Sequence, residues 1–172
     1  MLSKLTSSRF KPFLLILINF YFNVGLAASS SFPLHTCGRD IVDKTGNLFK
    51  LQSINWYGAS EERLVPGGLD KRPLNEIVSL IKDMGFNSVR LPFSNQMLEE
   101  KEIDPRFLKA NPELIGKTPL QVFDKVVKAL SERNVAVILN NHTSHAIWCC
   151  LYEEDGLWYT KMYPEERWIS DW

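Results

Sequence analysis

The sequence predicts an α/β fold in which short parallel strands alternate with amphipathic helices, and three observations predict it. Val135 to Leu139 is a continuous apolar run with the length and β-branching of a strand buried on both faces. Leu51 to Trp56 and Phe86 to Phe93 contain two further stretches of the same kind. The apolar residues between these stretches recur at helical spacing, and strands separated by helices favour a parallel sheet. The order is strand, helix, strand, helix, strand and the start of a helix, which makes about three βα units.

The first 27 residues stand apart from that rhythm. Lys4, Arg9 and Lys11 precede an apolar run from Phe13 to Phe22, and Gly25, Leu26 and Ala27 follow, small at the key positions for cleavage before Ala28. This reads as a secretory signal peptide, so the protein is expected to be secreted, with no membrane attachment after cleavage. A membrane anchor is the alternative, but the run is shorter than the roughly 20 residues that span a bilayer. Residues 28–34 are small and polar, a flexible lead, and the domain is expected over 35–172.

Cleavage would leave 145 residues (172 less 27), and an eight-fold barrel needs about 250. The rhythm therefore reads as the opening part of a larger domain. The whole chain balances 20 basic against 20 acidic side chains, which gives no electrostatic reason to expect nucleic acid as a partner. Three cysteines, Cys37, Cys149 and Cys150, would meet an oxidising compartment. An odd number cannot close on itself. A vicinal bridge and a bridge to a thiol outside the chain are both open.

Within the domain, Ile41 and Val42 suggest a short strand, Asp43 to Asn47 a turn, and Leu48 the start of a second strand. Gly46 and Asn47 suit the positive φ of a hairpin turn. This hairpin would plug the floor of the fold. Leu51 to Trp56 is the first buried strand and presents Asn55, Trp56 and Tyr57 at its carboxyl end. Leu74, Ile77, Ile81 and Met84 mark a helix opened by Pro73 and ended by Gly85. The second strand carries Arg90 near its end and is stopped by Pro92.

A long loop with Pro105 and Pro112 leads to Thr118, Pro119 and Gln121, a capping box with proline just inside the helix. That helix carries Leu120, Phe123, Val127 and Leu130 on one stripe, with Val126 beside it and Lys125, Lys128, Glu132 and Arg133 on the wet side. Val135 starts the third strand. A last helix is expected near Pro164, with Trp168 and Ile169 inward.

Polar groups collect where the third strand stops, and in a parallel barrel the carboxyl ends of the strands carry the chemistry. Alternation puts Asn140 and His142 on one face and Asn141 on the other. Arg90 is costly to bury, so it needs a carboxylate partner or a solvated mouth. It reads either as a structural ion pair or as the group that keeps a neighbouring carboxylate ionised near a reaction centre. His142 is a satisfied core histidine or, the preferred reading, a partner for a ligand or catalytic group. His145 falls in the loop beyond.

His142, His145, Cys149 and Cys150 have the residue types of a zinc site but not a standard spacing, and no metal or cofactor is expected. Trp56, Trp148 and Trp158 fall at strand ends or in the loops after them, where indoles stack on the apolar faces of sugar rings. Asn141, His142 and Thr143 form a glycosylation sequon, expected to be unmodified at a strand end. Glycosidic cleavage needs two carboxyl groups flanking the bond. Glu61 with Glu62, and the acidic run Glu153, Glu154 and Asp155, read as solvated surface, so no such pair is evident.

The segments HTCGRDIVD, INWYG, GFNSVRLPFSN, TPLQVFDKVV, VILNNH and GLWYTKMYPEERWISDW, in order, resemble the amino-terminal part of glycoside hydrolase family 5, the cellulase family, and endo-β-1,4-glucanases in particular. The resemblance runs from about His35 to Trp172. It implies a (β/α)₈ barrel that hydrolyses β-glycosidic bonds of a polysaccharide or oligosaccharide with retention, as a monomer at full length. By the same resemblance Arg90 supports the nucleophile, His142 lines the cleft beside the reacting sugar, and Asn55 and Trp56 belong to the first-strand motif. Asn140 and Trp148 complete the expected substrate-binding set. The acid/base and nucleophile glutamates of the family fall at the ends of the fourth and seventh strands, beyond Trp172. The 172 residues alone are thus expected to be inactive, and a non-catalytic secreted carbohydrate-binding or interaction protein is the alternative.

Overall fold

The structure is a computed structural model that describes residues 32–148 and 158–171. The expected signal peptide, most of the lead, Cys149, Cys150, the acidic run at 153–155 and Trp172 lie outside those residues. Among the described residues, no helix is long and apolar enough to cross a membrane.

Three parallel strands form the main sheet in the order β3, β4, β5: Ser53–Asn55, Ser88–Ser94 and Ala136–Thr143. Helix α1 (Leu74–Asp83) joins the first two and α3 (Pro119–Ser131) the last two. Between β4 and α3 lie a short α2 (Asn95–Glu99) and two single 3₁₀ turns at Pro105–Leu108 and Pro112–Leu114. The final element is α4 (Glu165–Ser170).

The expected hairpin forms earlier in the chain than the sequence suggests. β1 (His35–Cys37) pairs antiparallel with β2 (Asp40–Val42), and Leu48 makes only an isolated bridge to Val42. The turn after β2 is instead built by the Asp43 carboxylate, which accepts from Thr45 N, Thr45 Oγ1 and Asn47 N at 2.9, 2.6 and 3.0 Å. Gly46 takes the positive φ, 84°, and Asn47 does not share it.

Only the central strand is buried along most of its length. Val89, Leu91 and Phe93 of β4 face Val78 and Ile81 of α1 and Val122, Phe123, Val126 and Leu130 of α3, all in one contiguous core. Phe93 and Phe123 meet edge to face at 5.8 Å. The α1 stripe runs through Leu74, Val78 and Ile81, whereas Met84 is exposed. That of α3 runs through Val122, Phe123, Val126, Ala129 and Leu130, whereas Leu120 is exposed. In both helices the buried arc is rotated from the one the sequence suggests. On α4, Ile169 is likewise exposed, and Tyr163 just before the helix is buried.

β5 is not buried on both faces: Ile138 is 37% and Leu139 50% exposed. Among the described residues β5 pairs with β4 alone, and α3 covers one side only. Pro92 does not stop β4; it sits in mid-strand, paired with Asn140. Trp56 N donates to Arg90 O at 3.0 Å, so Arg90 turns its backbone polar groups toward β3, and Pro92, two residues on, turns the same way. Pairing with β3 has ended at Asn55, opposite Arg90, so the missing N–H of Pro92 removes no ladder bond.

The capping box at Thr118 forms as expected, with Gln121 N to Thr118 Oγ1 at 3.3 Å and Thr118 N to Gln121 Oε1 at 3.0 Å. Helix α1 is capped from far away. Pro73 has no side-chain cap to offer, and Asn111, 1% exposed, accepts from Leu74 N at 2.7 Å while donating to Leu69 O and Arg72 O. That satisfies the buried Leu74 N–H, a donor the helix itself cannot pair.

Candidate active site

Parallel pairing puts residues of equal register on one face, and the register joins Asn55 to Arg90 and Arg90 to Ile138. Asn55, Arg90, Asn140 and His142 therefore project from the face opposite the helices, toward the carboxyl ends of the strands. Arg90 sits at the centre. It donates Nη2 to Asn140 Oδ1 at 2.6 Å and Nη1 to Asn55 Oδ1 at 3.4 Å, and Nη2 lies 3.4 Å from His142 Nδ1. One guanidinium, that of Arg90, brings three other predicted site residues together.

A guanidinium has only donors, so the lone pair of His142 must sit on Nδ1 and its proton on Nε2. Burial, with the Arg90 charge adding to it, holds the imidazole below its ordinary value of 6.5. His142 is thus a neutral ring at physiological pH, with Nε2–H as its donor. Among the described residues Arg90 meets no carboxylate, and its neighbours are all neutral. The structural ion pair, one of the two readings of Arg90, is not found among the described residues, and the positive charge is oriented without being neutralised.

The three tryptophans do not share one rim. Trp56 follows Asn55, so alternation turns it to the helix side, where it is 8% exposed in the core and donates Nε1–H to Gly67 O at 2.8 Å. Gly58 completes the anchor: at φ 122°, an added Cβ would lie 2.5 Å from Gly67 N and Val65 O. The Trp and Gly of INWYG thus strap the loop after β3 against the strand end. Trp148 is 61% exposed and pairs with Tyr57 at 6.5 Å, an aromatic edge made by the loops after β3 and β5. Tyr57 is half of this edge, and its place at a strand end is the signal in the sequence that points to it. Trp158 packs edge-on against Tyr159 and Trp168.

His145 does not join His142 but stacks edge-on against Tyr163 at 4.9 Å. A metal at His142 Nδ1 would also face the Arg90 cation. Among the described residues, no cluster of three or more His, Cys, Asp or Glu is arranged to hold a metal. Glu61 is half-buried rather than fully solvated, and burial raises its carboxyl against the pull of Arg63.

On the helix side of the strand ends, Asn141 donates to Asn95 Oδ1 at 2.9 Å, and Asn95 donates to Asp171 Oδ2 at 2.7 Å. Arg167 of α4 forks onto Glu99 of α2, with Nε to Oε1 at 2.6 Å, and lies 4.2 Å above the Tyr163 ring. These contacts dock α4 on α2.

The model of the cellulase family (glycosyl hydrolase family 5) matches residues 42–172. An endoglucanase of Paenibacillus polymyxa is 35% identical over 147 residues, covering 85% of this chain and 36% of the relative. The major extracellular endoglucanase of Xanthomonas campestris pv. campestris is 33% identical over 150 residues, covering 86% and 30%. Among solved structures, an endocellulase from Pyrococcus horikoshii in complex with cellotetraose superposes with a TM-score of 0.69 at 27% identity, covering 84% of this chain and 38% of that one. The catalytic domain of the Xanthomonas enzyme gives 0.68 at 31% identity, with 81% and 39% covered. The chain spans about a third of the length of these relatives, and its three βα units are part of a (β/α)₈ barrel.

Proposed function

The chain belongs to glycosyl hydrolase family 5, the cellulase family, and from that premise we propose that the whole protein hydrolyses β-1,4-glucan with retention of configuration. The observation that carries this reading is the Arg90 guanidinium, oriented by neutral acceptors on both flanking strands with its charge left over. A cation held in that way keeps a carboxylate beside it ionised, as a nucleophile requires. Asn140 and His142 offer polar groups beside it to sugar hydroxyls, and the Tyr57–Trp148 edge offers a face to a pyranose ring.

In this reading the two reacting carboxylates of the whole protein stand at the ends of the fourth and seventh strands of the barrel. Loss of either would stop the reaction, one at the covalent step and the other at the proton transfer. The charged start and apolar run of residues 1–27 support a secreted protein acting on glycan outside the cell. The test is hydrolysis of cellotetraose by the whole protein, followed by NMR of the newly released anomer. Release of the β-anomer is expected; release of the α-anomer first, or no hydrolysis of any β-glucan, overturns the reading.

A further inference from the structure

Asn95 acts on the side of the sheet away from the guanidinium. It opens α2 directly after β4, is fully buried, and engages both ends of its amide with other elements, Asn141 on β5 and Asp171 after α4. Asn141 lies between Asn140 and His142, the two β5 residues that face Arg90. There the ladder becomes irregular: Phe93 is paired with Asn141 but Ser94 with Thr143, so His142 has no residue opposite it on β4.

An extra residue of this kind bends a strand and re-aims its side chains. Ladder pairing therefore does not by itself fix where His142 points, and the residues around it must. Asn141 is tied to Asn95. Farther on, Gln96 N donates to Ser144 O at 3.0 Å, and Gln96 Oε1 accepts from Ala146 N at 2.9 Å. The first turn of α2 is the template against which the end of β5 is laid.

We infer that Asn95 is a positioning residue: through Asn141 it fixes the rotation of the β5 end that turns Asn140 and His142 toward Arg90, with Asp171 as its second anchor. The consequence for catalysis rests on the hydrolase reading; the geometry rests on the hydrogen bonds alone. Asn95→Asp still accepts from Asn141 but sets a carboxylate against that of Asp171. Adding Asp171→Asn restores the relay in reversed sense, because the new carboxylate at 95 accepts from both amides.

The experiment uses the whole protein and measures kcat and KM on cellotetraose together with the NMR titration of the His142 ring. Asn95→Asp should lower kcat about tenfold or more, with a smaller change in KM, and move the His142 titration. Addition of Asp171→Asn should bring both back to within about threefold of wild type. The inference is overturned if Asn95→Asp leaves both readouts at wild-type values, or if the double variant is no better than the single one. His142→Ala serves as the reference: wild-type turnover in that variant counts against the hydrolase reading, while the His142 titration in the Asn95 and Asp171 variants still decides the positioning claim.

Discussion

The two faces of the main sheet are made by alternate residues of the same strands, and they differ in almost every physical respect. The face toward α1 and α3 carries Val89, Leu91 and Phe93, sealed into the core. The opposite face carries Asn55, Arg90, Asn140 and His142, joined through polar contacts of 2.6 to 3.4 Å and partly open to solvent. Dispersion and apolar burial hold the first face, while oriented dipoles around one charge define the second. The difference teaches that stability and chemistry are separated here by a single step along the backbone, so substitutions one residue apart should report on different properties.

The largest effect that sharpens this contrast is expected on the helix side. Leu130 is fully buried in α3, and Leu130→Ala should cost about 2–5 kcal/mol in urea unfolding of the whole protein, with the activity of the folded fraction retained. Full loss of that activity under folding conditions would break the separation. A smaller change is expected at the start of the same helix. Thr118→Ala removes one half of the capping box and should cost about 1 kcal/mol, read as a lower unfolding midpoint with kcat unchanged.

The smallest effect belongs to the polar face and depends on pH. The His142 pKa is lowered in the folded state, so the unfolded chain takes up a proton first as pH falls below the ordinary 6.5. The stability linked to the neutral ring is present above that value and is lost as pH falls through the lowered one. His142→Gln should therefore lose less stability than wild type between about pH 7 and pH 5, measured by thermal unfolding. A steeper loss in the variant would mean that the ring is stabilised in its charged form.

Much of this arrangement is legible in the sequence because it depends on short-range rules. Alternation puts Asn140 on one side and Asn141 on the other, and the structure finds them there; it also aims His142 toward Asn140's side, where the contacts around the irregular end of β5 hold it. The Thr118 capping box is legible for the same reason, since its partners are three residues apart. Trp56 was open to the same rule: standing next to Asn55, it had to face the core, and its aromatic character concealed that.

Other features depend on partners far along the chain, which no local pattern reveals. Asn111 caps a helix 37 residues upstream. Asn95 meets Asp171, 76 residues downstream. A proline removes a ladder donor and so suggests a strand end at Pro92, yet the strand that would accept from it has already ended at Asn55. The burial expected for Ile138 and Leu139 presumes a strand on each side of β5, and among the described residues it pairs with β4 alone. The rotation of the buried arcs on α1 and α3 has a simpler origin. Val78 and Val122 compete with neighbouring apolar residues at almost equal helical spacing, and only the position of β4 decides between them.

The separation of the two faces is tested most directly by Arg90→Ala and Leu91→Ala, adjacent residues of β4, with kcat on cellotetraose and the melting temperature of the whole protein measured on each. Arg90→Ala should lower kcat by about 10²–10³ while the protein melts close to wild type. Leu91→Ala should lower the melting temperature markedly while keeping kcat within about threefold below the transition. Wild-type turnover in Arg90→Ala, or an equal loss of both properties in both variants, would contradict the account.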